Sequence, residues 1–222
     1  MIITISRQYG AGGALVAQLV AERLGWHLAD NEFIERVAAK AGMSPEEVEA
    51  REERVPGFVD RLAWALASAS AELAVPAGGT IEELEEPQLV KVTEGVVAEL
   101  AREGRVVLVG RGAAAVLANH ARSLHVQIVA PLKDRIARVQ ERSGTAEADA
   151  RKQLENTDAR RARYHQEYYH RNWHDPANYH MVLNTSLLGV EGAGETIVSE
   201  ADRRGWKEEG GRGKGEGGRG KA

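Results

Sequence analysis

The chain contains no cysteine, which excludes disulfides, cysteine-ligated zinc and a cysteine nucleophile. No apolar run approaches the roughly 20 residues of a membrane span, so no membrane partner is expected. An excess of positive charge is missing too: the net charge of −4 argues against a broad nucleic-acid surface. A strand read from Ile2 leaves no space for a signal peptide, and a cytoplasmic location is the expectation. What is present is ordinary for a soluble protein, 43% hydrophobic and 28% charged. A chain of 222 residues is long enough for a central sheet covered by helices on both faces.

Five strand-like runs recur between helical patterns: Ile2–Ser6, Trp26–Ala29, Arg105–Val109, Leu124–Val129 and His180–Asn184. Near-continuous apolar runs suit strands buried on both faces of a parallel sheet, and the intervening segments can hold crossover helices. Helices are predicted over Leu15–Gly25, Gln88–Arg102, Leu132–Arg142 and Ala146–Tyr168. Pro131 suits the opening of the third, and Glu103-Gly104 closes the second. The stretch 33–87 breaks the alternation and reads as a helical insertion, with Leu62, Trp64, Leu66 and Leu73 as packing residues. One domain over 1–206 is expected, followed by a disordered Gly-, Lys- and Glu-rich tail over 207–222.

The segment Ser6-Arg7-Gln8-Tyr9-Gly10-Ala11-Gly12-Gly13-Ala14 follows the first strand and opens the first helix. A strand, a glycine turn and a helix N-terminus gather backbone N–H groups and the positive end of a helix dipole at one point, which suits phosphate. The common pattern G-x-x-x-x-G-K-[ST] fits poorly. With Gly12 as its last glycine, Arg7 stands at the first glycine, Gly13 at the lysine and Ala14 at the Ser/Thr. A dinucleotide pattern matches Gly10 and Gly12 but meets Leu15 at its third glycine, with Asp30 near the place of a ribose-binding acid. A turn that only permits close packing is the third reading.

Two further segments add phosphate-binding chemistry. Gly110-Arg111-Gly112 follows the third strand, so Arg111, Asp30 and the glycine loop should share the carboxyl edge of the sheet, where ligands of parallel sheets collect. Arg160 and Arg163, with Asp158 and Arg161 on the same helix, can present guanidinium groups to phosphate oxygens. His170 and His174 are four apart, a spacing that would suit a metal pair on a helix, but no third ligand falls in register.

Taken together these segments resemble the cytidylate kinase-like family of phosphate-loop nucleoside monophosphate kinases. The resemblance rests on Ile5 to Gly13, Leu19 to Leu24, Asp30 with Phe33-Ile34, Gly110 to Ala113, Leu124 to Val126, Val129 to Leu132 with Asp134-Arg135, Asp158 to Tyr164, Trp173 to Pro176, Tyr179, and Val182 to Thr185. It implies a three-layer α/β fold with a five-stranded parallel sheet, the insertion at 33–87 and a helical lid at about 143–170. It also implies transfer of the γ-phosphoryl group of ATP, with Mg²⁺, to a nucleoside monophosphate, CMP or dCMP by preference. By position, Ser6, Gly10, Ala11, Gly12, Gly13 and Ala14 would bind ATP. Asp30, Arg111 and Arg161 would bind the acceptor, and Arg160, Arg163 and Asp158 would act from the lid. In this branch the loop reads S-R-x-x-G-[SA]-G-G, without lysine. The familiar members carry Asp where this chain has Gly112.

A lysine about 4 Å from a phosphate oxygen is worth roughly 4 kcal/mol at an effective dielectric near 20, or several hundred-fold in rate. A working kinase without it needs another cation: Arg7 is the nearest in sequence, and the lid arginines are the other candidates. Ala14 offers no hydroxyl to magnesium, which leaves Ser6, water and ATP itself. Two other readings stand beside this one: a nucleotide-binding regulatory protein that lost the chemistry, and a kinase for another small phosphate acceptor. The oligomeric expectation is a monomer or homodimer.

Overall fold

Strand β1 (Ile2–Arg7) carries the run Ile2-Ile3-Thr4-Ile5, and its three isoleucines are fully enclosed. That burial on both faces is what the unbroken apolar sequence anticipates. β1 pairs in parallel with β3 (Val106–Val109) on one side and β4 (Ser123–Val129) on the other, Ile3 lying opposite Val107 and Leu124. Two short strands, β2 (His27–Ala29) and β5 (Met181–Asn184), form the edges. All four pairings are parallel and the order is β2-β3-β1-β4-β5. The expected five-stranded parallel sheet is thus present, its strand limits shifted by no more than a residue. The computed structural model describes residues 1–29 and 86–206. Asp30, the expected insertion with Leu62, Trp64, Leu66 and Leu73, and the tail from Lys207 lie outside the described residues.

Side chains alternate across a strand, so Ile3 and Ile5 face one layer while Ile2 and Thr4 face the other. On the first face lie α1 (Gly13–Leu24) and α6 (Thr185–Arg203), whose Val16, Val20, Ala193 and Ile197 join Ile3, Val107, Leu124 and Val126 in one cluster. The two helices approach closely at Gly194, where a Cβ would overlap Leu19. The second face is covered by α2 (Glu86–Glu103), which buries Val96, Val97 and Leu100 beside β3, and by the single turn α3 (Ala113–Val116).

Past β4 come α4 (Leu132–Ser143), opened by Pro131, and α5 (Glu147–Tyr169). Their facing surfaces form a separate small cluster of Ile136, Val139, Ala150 and Leu154, with Tyr9 packed against it. This is the contact that places α4 and α5 over the glycine loop. α5 ends at Tyr169 because His170 adopts a left-handed backbone (φ 52°). The histidines at 170 and 174 therefore do not share a helical face, and among the described residues no three metal-ligating side chains cluster. No described helix is long and apolar enough to cross a membrane.

Candidate functional site

The site begins where β1 runs out at Arg7. Gly10 (φ 76°) and Gly12 (φ 80°) turn the chain through the left-handed region, which L side chains rarely adopt. Gly12 then caps α1 without any side-chain hydrogen bond. The first-turn N–H groups of α1 have no intrahelical partners, and they stand at the positive end of its dipole. Such a terminus suits an anion. Of the residues expected to meet ATP here, Ala11 is enclosed, Gly13 is buried and Ala14 is exposed.

Side chains from distant elements hold this turn. Gln8 donates its backbone N–H to Ile128 O at 3.0 Å and accepts Ala130 N–H on Oε1 at 3.1 Å, fixing the loop to β4. The Thr185 hydroxyl donates to Ala11 O at 2.7 Å while accepting Arg138 Nη1 at 2.9 Å. Asp158 accepts the Tyr9 N–H on Oδ1 at 2.9 Å and Arg135 Nη1 on Oδ2 at 2.6 Å. Arg135 reaches the Tyr9 carbonyl as well, at 3.2 Å. Gly10 is wedged beneath them: a Cβ there would lie 3.0 Å from Arg135 O and 3.2 Å from both Leu154 and Val139.

Arg7 crosses the turn. A Cβ on Gly13 would stand 2.5 Å from Arg7 Cβ, and one on Gly110 would overlap Arg7 Nη1. The side chain therefore runs from the head of α1 to the end of β3. There Gly110, Arg111 and Gly112 are all left-handed, with φ of 73°, 60° and 66°. For Arg111 that conformation costs about 1–2 kcal/mol, a local strain of the kind found where a ligand or a switch needs it. Gly112 in turn lies under the Tyr169 ring, 2.8 Å from where its Cβ would be. The glycine loop and Arg111 thus meet at one edge, as the strand order requires.

The residues of α5 divide. Asp158 is buried, and its carboxylate is engaged by the loop backbone and Arg135. Arg161 donates to the Arg7 carbonyl at 2.6 Å and lies 3.8 Å from Asp158. Burial lowers the Arg161 pKa from its ordinary value, with Asp158 opposing that shift. Arg160 and Arg163 stand exposed on the same helix. Within this cluster Asp158 and Arg161 brace the loop from behind.

Ser6, expected near the nucleotide, is buried, and its Oγ accepts Trp173 Nε1–H at 2.8 Å. The Trp173 carbonyl accepts Tyr179 O–H at 2.9 Å and Gln127 Nε2–H at 3.0 Å. Burial, the larger influence, raises the Tyr179 pKa. Trp173→Phe would delete the indole donor and keep most of the packing. The expected loss is about 1 kcal/mol, read by urea denaturation. Gln8, Arg135, Trp173 and Thr185 lie in segments that carry the family resemblance, but neither their hydrogen-bond partners nor that of Arg138 is legible in the sequence. Their partners lie up to 174 residues away, as for Thr185 with Ala11, so local spacing carries no sign of them.

A five-stranded parallel sheet whose central strand runs through a glycine turn into a helix defines the class of phosphate-loop kinase folds. Within it, the chain belongs to the cytidylate kinase-like family, whose profile matches residues 2–187. A cytidylate kinase from Marinomonas sp. (strain MWYL1) is 46% identical over 52 residues, 22% of this chain and 23% of that protein. The chain thus matches about a quarter of that curated relative's length. Among solved structures, an uncharacterized protein from Eubacterium ventriosum ATCC 27560 superposes with a TM-score of 0.65 at 22% identity, covering 91% of this chain and 98% of that one. A shikimate kinase from Bacteroides thetaiotaomicron follows at a TM-score of 0.50 and 13% identity, with 91% and 98% covered. At these identities the likeness is one of fold.

Proposed function

We infer that the protein transfers the γ-phosphoryl group of ATP to a nucleoside monophosphate, with CMP or dCMP the favoured acceptor. The observation that carries this reading is the span of Arg7 from the glycine loop to Gly110, beside the strained Arg111. Phosphoryl transfer asks a protein mainly to position two phosphates and neutralise the charge between them. A cation reaching from one phosphate-binding turn to the next does both. The capless head of α1 would receive the ATP phosphates, Arg111 the acceptor phosphate, and exposed Arg160 and Arg163 would approach from α5.

The residues fit a bound nucleotide better than a protein-ligated metal. Ala14 has no hydroxyl, the Ser6 hydroxyl is engaged by Trp173, and no three ligating side chains cluster among the described residues. Magnesium would therefore be held by the nucleotide and water. The same observation favours, as a second reading, a protein that binds nucleotide without turning it over. Turnover of ATP with CMP, dCMP, UMP, AMP and shikimate, each as sole acceptor, tests both. Turnover with a cytidine monophosphate is the expected result. Measurable ATP binding with no turnover on any acceptor would favour the second reading.

A further inference from the structure

We propose that Arg7 occupies the space of the missing loop lysine, and that position 13 is glycine because the root of Arg7 fills the volume its side chain would need. The inference rests on reading the loop as a phosphate site. In the common pattern, position 13 carries the lysine that reaches the phosphates from the first turn of the helix. Here a Cβ at 13 would lie 2.5 Å from Arg7 Cβ and 2.8 Å from Arg7 Cγ. The nearer of the two, Cβ, is set by the backbone of β1, where Arg7 pairs with Ile128 and its carbonyl is held by Arg161 at 2.6 Å. It cannot swing aside as a side-chain tip could, whatever rotamer the rest of Arg7 adopts. Lysine at 13 and arginine at 7 exclude each other.

Backbone conformation gives no other reason for glycine at this position. Gly13 is the first residue of α1 and lies outside the left-handed region, unlike Gly10, Gly12 and Gly110. Within a helix, glycine is less favourable than alanine. A residue that disfavours the helix and is not needed for the turn calls for a steric cause, and Arg7 supplies it. At the other end, the guanidinium rests on Gly110, where a Cβ would overlap Nη1 and lie 3.0 Å from Cζ. Arg7 is therefore seated between two glycines almost a hundred positions apart in sequence. The exchange also changes what the cation can do. Lysine is a point charge rooted on the helix, whereas a guanidinium is a planar fork able to donate to two oxygens. Rooted on β1 and reaching the Gly110-Arg111-Gly112 turn, it can contact the phosphates on both sides of the transfer.

The experiment is a double-mutant cycle on the full chain: Arg7→Gly, Gly13→Lys and the two combined, with Gly13→Ala replacing Gly13→Lys if the latter does not fold. Glycine is required at 7, since alanine keeps the Cβ that clashes. Melting temperature without nucleotide and affinity for MgATP by calorimetry are both read. Gly13→Lys should melt well below wild type, and adding Arg7→Gly should recover most of that loss. Arg7→Gly should weaken MgATP binding at least about tenfold, and the Arg7→Gly/Gly13→Lys double variant, which returns a cation, should restore most of it. Melting losses that simply add would overturn the steric exchange. MgATP binding by Arg7→Gly equal to wild type would overturn the role of the cation, with the nucleotide reading left standing. Wild type that fails to bind MgATP while the melting coupling persists overturns the nucleotide reading and the cation role together, and supports the packing.

Discussion

Asp158→Ala is expected to destabilise the protein by about 3–5 kcal/mol, the range for breaking one side of a buried ion pair. Arg135 and Asp158 meet at 2.6 Å with side-chain exposures of 10% and 12%, so water cannot replace the lost carboxylate. Removing it strands the Tyr9 N–H and leaves the Arg135 guanidinium with only the Tyr9 carbonyl, its Nε having no hydrogen-bond partner among the described residues. Asp158→Asn keeps an acceptor for Tyr9 while removing the charge, and should cost less. Urea denaturation of the three proteins is the measurement. If Asp158 instead acted directly on substrate, as the family resemblance implies, Asp158→Ala would leave the unfolding midpoint nearly unchanged and depress turnover alone. A loss below about 1 kcal/mol would therefore return Asp158 to the substrate side.

That contrast marks where sequence reading succeeds and where it stops. The strands were legible because a parallel sheet buries both faces, so Ile2-Ile3-Thr4-Ile5 and Val106-Val107-Leu108-Val109 read as unbroken apolar runs. Pro131 and the glycine loop were legible because their effect is local. The direction in which Asp158 points was not. Its partners Tyr9 and Arg135 come from other elements, and a carboxylate among arginines on a helix looks the same whether it meets substrate or backbone. The spacing of His170 and His174 shows the same limit from the other side. Spacing by four has meaning only within a helix, and the helix stops at Tyr169. Sequence position puts Arg7 beside the glycine loop, but the reason for Gly13 requires the distance between two Cβ positions.

The brace formed by Asp158 and Arg161 bears on how this site could move. Helix α5 touches the loop through backbone groups, the Tyr9 N–H and the Arg7 carbonyl, and through Leu154 against Gly10. Arg160 and Arg163 are exposed on the helix so anchored. On the kinase reading proposed above, a nucleotide that shifts the loop would shift the helix carrying them, and phosphate binding and arginine delivery would be one event.

Acidification from pH 6.5 to 4.5 should weaken the fold by several kcal/mol, at about 1.4 kcal/mol per pH unit for each suppressed histidine. Burial pushes His165 down to about 4, with Arg171 assisting, in a nest formed by Tyr164, Tyr169 and Trp173. Burial pushes His125 to about 4 as well, with His180, Arg171 and His120 adding to the effect against the Leu117 carbonyl. The neutral ring of His125 is fully used: Nδ1 faces the Thr4 hydroxyl at 2.8 Å and Nε2 the Leu117 carbonyl at 3.1 Å. Both histidines have folded values below the unfolded 6.5. Above that pH neither state binds the proton and nothing is lost. Below it the unfolded chain binds protons that the native state refuses, so stability falls until the folded values near 4 are reached. Carboxylates affect a lower window: hydrogen bonds from Arg203 and Arg204 hold Glu200 at about 2, so its contribution fades only below its unfolded 4.5. His165→Phe keeps the ring packing and removes the proton site. Its urea midpoint should therefore fall less steeply than that of wild type between pH 6.5 and 4.5. Parallel curves for the two proteins would mean that His165 protonates as freely in the fold as in the unfolded chain, and that the aromatic nest does not exclude the charge.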